Sequence, residues 1–283
     1  MNMIGKMNTL TVLKEVDFGI YLDGGTLGEV LLPIRYVPED CKVGEKLDVF
    51  LYHDSEDRVI ATTETPYAKV GECAYLKCIA TNSAGAFLNW GLMKDLLVPF
   101  NQQKPPMEEG KSYVVYLYMD DQSGRIAASA KLDRFLFQDS DEDFKAGDAV
   151  NLLNANKTDL GYKVIINHTH WGLLHEHDAS RSLKRGEHFK GYIKNIRDDG
   201  KIDVCLHVDT REKLDTTAQA ILKSLRKHDG FMPYHDKSSP EDILRVFSMS
   251  KGLFKKGIGS LYKAKMIRIA SDGIHLHNIW EGK

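Results

Sequence analysis

One stretch of this chain is written three times. GIYLDGG with EVLLP at 19–33, GAFLNWG with DLLVP at 85–99, and GYKVIIN with WGLLH at 161–175 share length, apolar spacing and a leading glycine. That glycine falls at 19, 85 and 161, so the copies lie 66 and 76 residues apart. Each copy is followed by a glycine and a charged residue (Gly44-Glu45, Gly110-Lys111, Gly186-Glu187). Two apolar runs around a charged turn come next: VFLYHDSEDRVIATT, VYLYMDDQSGRIAAS and YIKNIRDDGKIDVCL. Self-similarity at a fixed spacing makes each copy one supersecondary unit. The chain therefore divides into units at 1–65, 66–136 and 137–212, followed by an unrelated segment at 213–283. Units of this size bury only about 60% of their unfolded surface, so each needs a closed sheet or a neighbour to lean on.

Within a unit, alternation of apolar and polar residues predicts strands: Val12, Phe18, Ile20 and Leu22 in the first, Tyr75, Leu76, Cys78 and Ile79 in the second, Val150, Leu152 and Leu153 in the third. Ser123-Gly124 and Asp199-Gly200 read as hairpin turns. About five short strands with no long helix predict a small barrel of the OB type, which presents one strand face to oligonucleotides.

Composition leaves room for a folded, many-domain chain: 42% hydrophobic and 28% charged residues exclude disorder. The start, MNMIGKMNTL, lacks the basic beginning and apolar core of a signal peptide, which predicts a cytoplasmic protein. In that compartment Cys41, Cys73, Cys78 and Cys205, which form no CxxC, are expected to be reduced thiols. Net charge is −2, but 213–283 holds 13 Lys and Arg against 7 Asp and Glu, while 1–212 holds 25 against 33. The last quarter is the basic end.

The repeated stretch resembles the RNA-binding motif of bacterial ribosomal protein S-one, whose pattern is roughly F-G-A-F-V, a turn, then G-L-L-H. Phe18-Gly19-Ile20-Tyr21-Leu22 and Leu31-Leu32-Pro33 carry it in the first unit, Ala84-Gly85-Ala86-Phe87-Leu88 and Leu97-Val98-Pro99 in the second. In the third it is Leu160-Gly161-Tyr162-Lys163-Val164 with Gly172-Leu173-Leu174-His175. The first motif aromatic is thus Phe18, Ala84 and Leu160 in turn, the second is Tyr21, Phe87 and Lys163, and the histidine survives only as His175. Bases stack on such aromatics without sequence readout, which makes Phe18, Tyr21, Phe87, Trp90 and Trp171 the stacking candidates. An aromatic in a strand is more often core or cross-strand packing; Trp171 is set apart by its polar turn. Arg35, Lys94, Lys131, Arg134 and Lys163 are the candidates for phosphate contacts near that face.

After 212 the period becomes helical. Leu214, Ala218, Ile221, Leu222 and Leu225 form one stripe that stops near His228-Asp229-Gly230. Phe231-Met232 follows, then Ser239 as N-cap with Pro240 at the first position of a helix to Phe247. Ser248 or Ser250 caps a third helix, 251 to about 262, and Met266–Ile269 and Gly273–Leu276 read as a hairpin. Helix, strand, helix, helix, hairpin is the order of an α+β winged helix. Its third helix is the one such folds present to nucleic acid, so Lys251, Lys255, Lys256 and Lys263, with Arg268 in the wing, are candidate contacts.

Three such barrels followed by a winged helix resemble the conserved virulence factor B family of bacterial RNA-binding regulators, and SMSKGLFKKGIGSLYKAKMIRIASDGIHL looks like that family's C-terminal signature. The resemblance implies a multidomain, mainly β RNA-binding virulence regulator that acts on gene expression after transcription without catalysis. Its partner would be single-stranded RNA, with DNA as the alternative polynucleotide; no membrane, metal or cofactor is expected.

Other readings are weaker. His168, His170, His175 and His177 are dense enough to raise a metal site, but no cysteine lies nearby. Lys255-Lys256-Gly257-Ile258-Gly259-Ser260 lacks the Gly-x4-Gly-Lys-Ser/Thr loop that cradles phosphates. Asp139, Asp141, Glu142 and Asp143 read as a solvated linker, and no nucleophile and base have an arguable spacing. The competing class is a protein-interaction scaffold whose basic winged helix docks on the acidic barrels.

Overall fold

The computed structural model describes residues 3–140, 144–179, 181–207 and 210–277. Asp141, Glu142 and Asp143 of the acidic run lie outside the described residues. The chain forms two compact units, Met1–His207 and Val208–Lys283.

The first unit is three copies of one five-stranded pattern. In the first copy, β1 (Met7–Val16), β2 (Gly19–Asp23), β3 (Glu29–Pro33), β4 (Lys46–His53) and β5 (Val59–Thr62) close into a barrel in the order β1-β2-β3-β5-β4. In the second, β6 (Cys73–Asn82), β7 (Gly85–Asn89), β8 (Leu96–Pro99), β9 (Ser112–Met119) and β10 (Ile126–Ser129) keep that order. There β8 and β10 lie alongside each other without a ladder among the described residues. In the third, β11 (Ala149–Thr158), β12 (Gly161–Ile166), β13 (His170–His175), β14 (His188–Ile196) and β15 (Ile202–Cys205) close again, through a parallel β13–β15 pair.

The repeated glycine is explained by close approach of backbone. A Cβ on Gly19, Gly85 or Gly161 would lie 2.2 Å from the carbonyl oxygen of Leu32, Val98 or Leu174, and the φ angles are 153°, 151° and 141°. No L side chain fits there. The first strand of each copy also carries a bulge at the same place, between Val12 and Lys14, Cys78 and Ala80, and Asn154 and Asn156. The repeated Gly–charged pair pins that bulge: the N–H groups of Gly44, Gly110 and Gly186 donate to the carbonyls of Val12, Cys78 and Asn154, each at 2.8 Å. A bulge bends and twists its strand, which is what closing a sheet of five requires.

The barrels are not separate beads. In β4, Val49 and Leu51 point into the first barrel's core, while Phe50 and Tyr52 join a cluster built around Leu76, Leu88, Trp90 and Leu117 of the second. Both faces of β4 are therefore buried from Val49 to Tyr52, and that is why this stretch of the strand is an unbroken apolar run. Between the second and third barrels, Cys73, Val114, Leu132 and Leu136 pack on Leu153, Ile165 and Trp171. The four cysteines are free thiols, and burial pushes that of Cys73 up to about 12.

The second unit holds α1 (Thr210–Lys227), β16 (Phe231–Met232), α2 (Pro240–Phe247), α3 (Lys251–Lys263), β17 (Ile267–Ala270) and β18 (Gly273–Leu276), with sheet order β16-β18-β17. This is the winged-helix order. Ser239 caps α2 by accepting from the Asp242 N–H at 3.1 Å, a contact that contributes about 1 kcal/mol. Ser250, not Ser248, caps α3; Ser248 closes α2 in the left-handed conformation. Gly257 lets α3 approach α1, since a Cβ there would lie 2.7 Å from Cδ1 of Ile221. Ala218, Ile221, Leu222 and Leu225 face Phe254, Ile258 and Leu261 in one core; the side chain of Leu214 lies outside the described residues.

Candidate nucleic-acid interface

Register places the same three positions side by side in every barrel. Tyr21, Phe87 and Lys163 pair with Leu31, Leu97 and Leu173 on one flank and with Lys14, Ala80 and Asn156 on the other. These positions lie on the outer strand face, because their neighbours Leu22, Leu88 and Val164 fill the cores. What differs is what each barrel puts there.

The first barrel carries an open platform. Phe18, in the turn before β2, is 56% exposed and meets the half-buried Tyr21 edge to face, with ring centroids 6.4 Å apart. Nζ of Lys14 sits 4.8 Å from the Tyr21 ring centroid and bonds Glu29. Arg35 is exposed just beyond β3, its guanidinium 4.8 Å from the Tyr36 ring. Aromatic faces and cations thus share one solvent-facing surface.

The second barrel turns its copy into a groove of about 390 Å³ against the first barrel, lined by Phe87, Leu97, Tyr52, His53, Lys94 and Arg125. Phe87 is half-buried there. Trp90 is not available for stacking, contrary to the sequence expectation: it is 2% exposed, packed edge-on against Phe50 and Tyr52 at 5.7 and 6.3 Å. Its indole N–H donates to the Lys94 carbonyl at 2.5 Å. Lys94 is corrected with it. Its Nζ donates to the Asp54 carbonyl at 2.5 Å, and burial lowers its pKa, so it ties two barrels together rather than reaching for phosphate. Arg125 is likewise paired with Asp57.

In the third barrel a groove of about 440 Å³ runs past Leu160, Lys163, Leu173, Arg197, Lys201 and Asp203. Trp171 is also corrected, because the second barrel covers it; it is 7% exposed. Nζ of Lys163 lies 3.8 Å from the Trp171 ring centroid and 3.6 Å from Asp133, which makes it a lid on that ring as much as a free cation. The Lys104 hydrogen bond, with Lys163 adding to it, holds the Asp133 carboxyl below its usual range. His175 is half-buried, 3.3 Å from Asp203, and Arg197 grips the same carboxylate through two nitrogens at 2.5 and 2.9 Å.

On α3, Lys255, Lys256 and Lys263 are exposed and Lys251 is half-buried, and none of the four is ion-paired with a described residue. Arg268 is exposed on β17. The four histidines do not gather at one point: His168 accepts from the Cys73 N–H, His170 contacts Thr169, and His175 faces Asp203 with the His177 ring stacked on it at 5.4 Å. Among the described residues no group of three or more His, Cys, Asp or Glu is placed to hold a metal ion. No described helix is long and apolar enough to cross a membrane.

Two contributors escaped the sequence reading. Lys14 was hidden by the bulge, which shifts its register by one and brings it onto Tyr21. Phe100, 56% exposed, follows Pro99 as Ile34 follows Pro33, and both prolines pair with the repeated glycine. The 66-residue spacing already links 34 to 100 and would have revealed it.

Comparison with known proteins agrees with this architecture. An S1 domain matches residues 4–64, and a CvfB-like winged helix domain matches 219–276. The chain is 28% identical over 274 residues to the uncharacterized protein YitL of Bacillus subtilis, covering 92% of this chain and 89% of that one. It is 29% identical over 286 residues to conserved virulence factor B of Staphylococcus epidermidis, covering 97% and 95%. A solved structure of a multidomain protein with nucleic acid binding domains from Streptococcus pneumoniae is 22% identical, with a TM-score of 0.41 and coverage of 96% and 98%. The chain thus carries an S1 domain at one end and a CvfB-like winged helix domain at the other, and is similar to conserved virulence factor B along nearly its whole length.

Proposed function

We propose that this chain is a non-catalytic, cytoplasmic RNA-binding protein that regulates gene expression after transcription by holding single-stranded RNA. The observation that carries the reading is the pair of exposed Phe18 and half-buried Tyr21 with Lys14 beside it, on the outer face of an S1 barrel. Unpaired bases stack on such rings for roughly 1–3 kcal/mol each, and the neighbouring cations answer the phosphates. The lysines of α3 add a second, electrostatic contact. Phe87 in its groove, and Arg35, extend the first surface; Lys163 and His175 form a weaker third, since both are engaged by carboxylates.

The test is binding of one fluorescent single-stranded oligonucleotide in ribo and deoxyribo form, because the 2′-hydroxyl separates RNA from DNA at a given site. The reading expects saturable binding at moderate salt, tighter for the ribo form, and weakened about fivefold or more in Phe18→Ala. Absence of saturable binding would return the chain to the class of protein scaffolds.

A further inference from the structure

The winged-helix sheet has one face in the core and one turned away from it. Its inner face, Met232, Ile274, Ile267 and Ile269, belongs to the core with α1 and α3. On the other side, pairing puts Phe231 opposite His275 and His275 opposite Arg268, so these three side chains form one row across β16, β18 and β17. Directly paired residues of antiparallel strands share a face. The Phe231 and His275 rings lie 4.6 Å apart, tilted by 34°. Phe231 remains 39% exposed although a fully buried core begins at the next residue, and Arg268 is exposed at the other end of the row. Nε2 of His275 is held 3.0 Å from the Asp272 carboxylate in the adjoining turn, which fixes the ring by its edge and leaves its face to Phe231.

An aromatic pair that ends in a guanidinium matches a nucleotide: rings take the base, and Arg takes the phosphate or stacks beside it. A single Phe among His and Arg offers little apolar area to a protein partner. The excess of basic residues over 213–283 favours a polyanion there.

We infer that this sheet face is a single-strand nucleic-acid site distinct from α3, with a base stacked on the Phe231–His275 pair and Arg268 neutralising a phosphate. The inference rests on the RNA-binding reading and adds a stacking site to the basic contacts of this domain, Arg268 and the α3 lysines.

The experiment compares full-length chain with Phe231→Leu and Phe231→Trp on a single-stranded oligoribonucleotide, over a salt series. Stacking releases no counterions, so Phe231→Leu should weaken binding roughly fivefold or more with an unchanged log–log salt slope. Phe231→Trp should bind as the parent does and show additional quenching of tryptophan emission as RNA is added. Unchanged affinity in the Leu variant, or no added quenching in the Trp variant, overturns the inference. Should the Leu variant fail to fold, the Trp variant alone decides. A parent chain that binds no RNA would overturn the functional reading instead, which keeps the two failures apart.

Discussion

The backbone N–H of Cys73, at the start of the second barrel, donates to Nδ1 of His168 in the third, 3.0 Å away. The bond needs the lone pair of a neutral imidazole, and burial lowers the His168 pKa from its ordinary value, with Glu72 opposing and His188 assisting the shift. A folded-state value below the unfolded one means that the unfolded chain takes up the proton first as pH falls. The stability this histidine contributes is complete above about pH 6.5 and lost progressively below it. Melting of the parent chain between pH 7.5 and 5.5 should therefore show a fall that His168→Gln lacks; identical pH profiles would remove His168 from the junction's account.

The repeated glycine predicts a graded response to added methyl groups. Gly161→Ala places a Cβ 2.2 Å from the Leu174 carbonyl oxygen and should cost about 3 kcal/mol or more. Gly110→Ala has open space around it and only an unfavourable φ of 83°, so about 1–2 kcal/mol is expected. Chemical denaturation of both variants checks the ratio, and equal losses would refute the close-approach explanation.

Trp90 and Phe18 should exchange the roles that a motif alone would assign them. Trp90→Ala removes a buried ring from the cluster shared by two barrels and should cost about 3–5 kcal/mol of stability. Phe18→Ala should leave the melting midpoint within a degree or two, because a surface side chain contributes little. Paired unfolding and RNA titrations of the two variants test this; a Trp90→Ala chain that stays stable but loses RNA would reverse the assignment.

What the sequence made legible, and what it hid, follows from the range of the forces involved. Gly19, Gly85 and Gly161 could be read because each answers to contacts within its own repeat. The winged-helix elements were readable because caps and periodicity are local, as Ser239 and the Ala218–Leu225 stripe show. The fate of Trp90, Trp171 and Lys94 was not, since each is decided by a neighbouring barrel some tens of residues away. Another glycine set, Gly5, Gly71 and Gly147, has the same 66 and 76 spacings and went unread. Their N–H groups donate to the carbonyls of Leu51, Leu117 and Ile193 at 2.8 to 2.9 Å, pinning the fourth strand of each barrel as the other glycines pin the first.

The lysines of α3 make an electrostatic prediction. Each phosphate contact on a single strand contributes about 0.7 to the log–log salt slope of binding. Lys255→Ala with Lys256→Ala should lower the slope by roughly 1.4 if both meet phosphate. A slope equal to that of the parent would remove Lys255 and Lys256 from the RNA contact.

The most direct trial of the central claim is the affinity of the parent chain and of a Phe18→Ala, Tyr21→Ala double variant for one single-stranded RNA across a salt series. The account predicts that the double variant binds at least tenfold more weakly at every salt concentration while keeping the parent's slope. Equal affinity in both chains would contradict it, leaving the first barrel's aromatics without a role in binding.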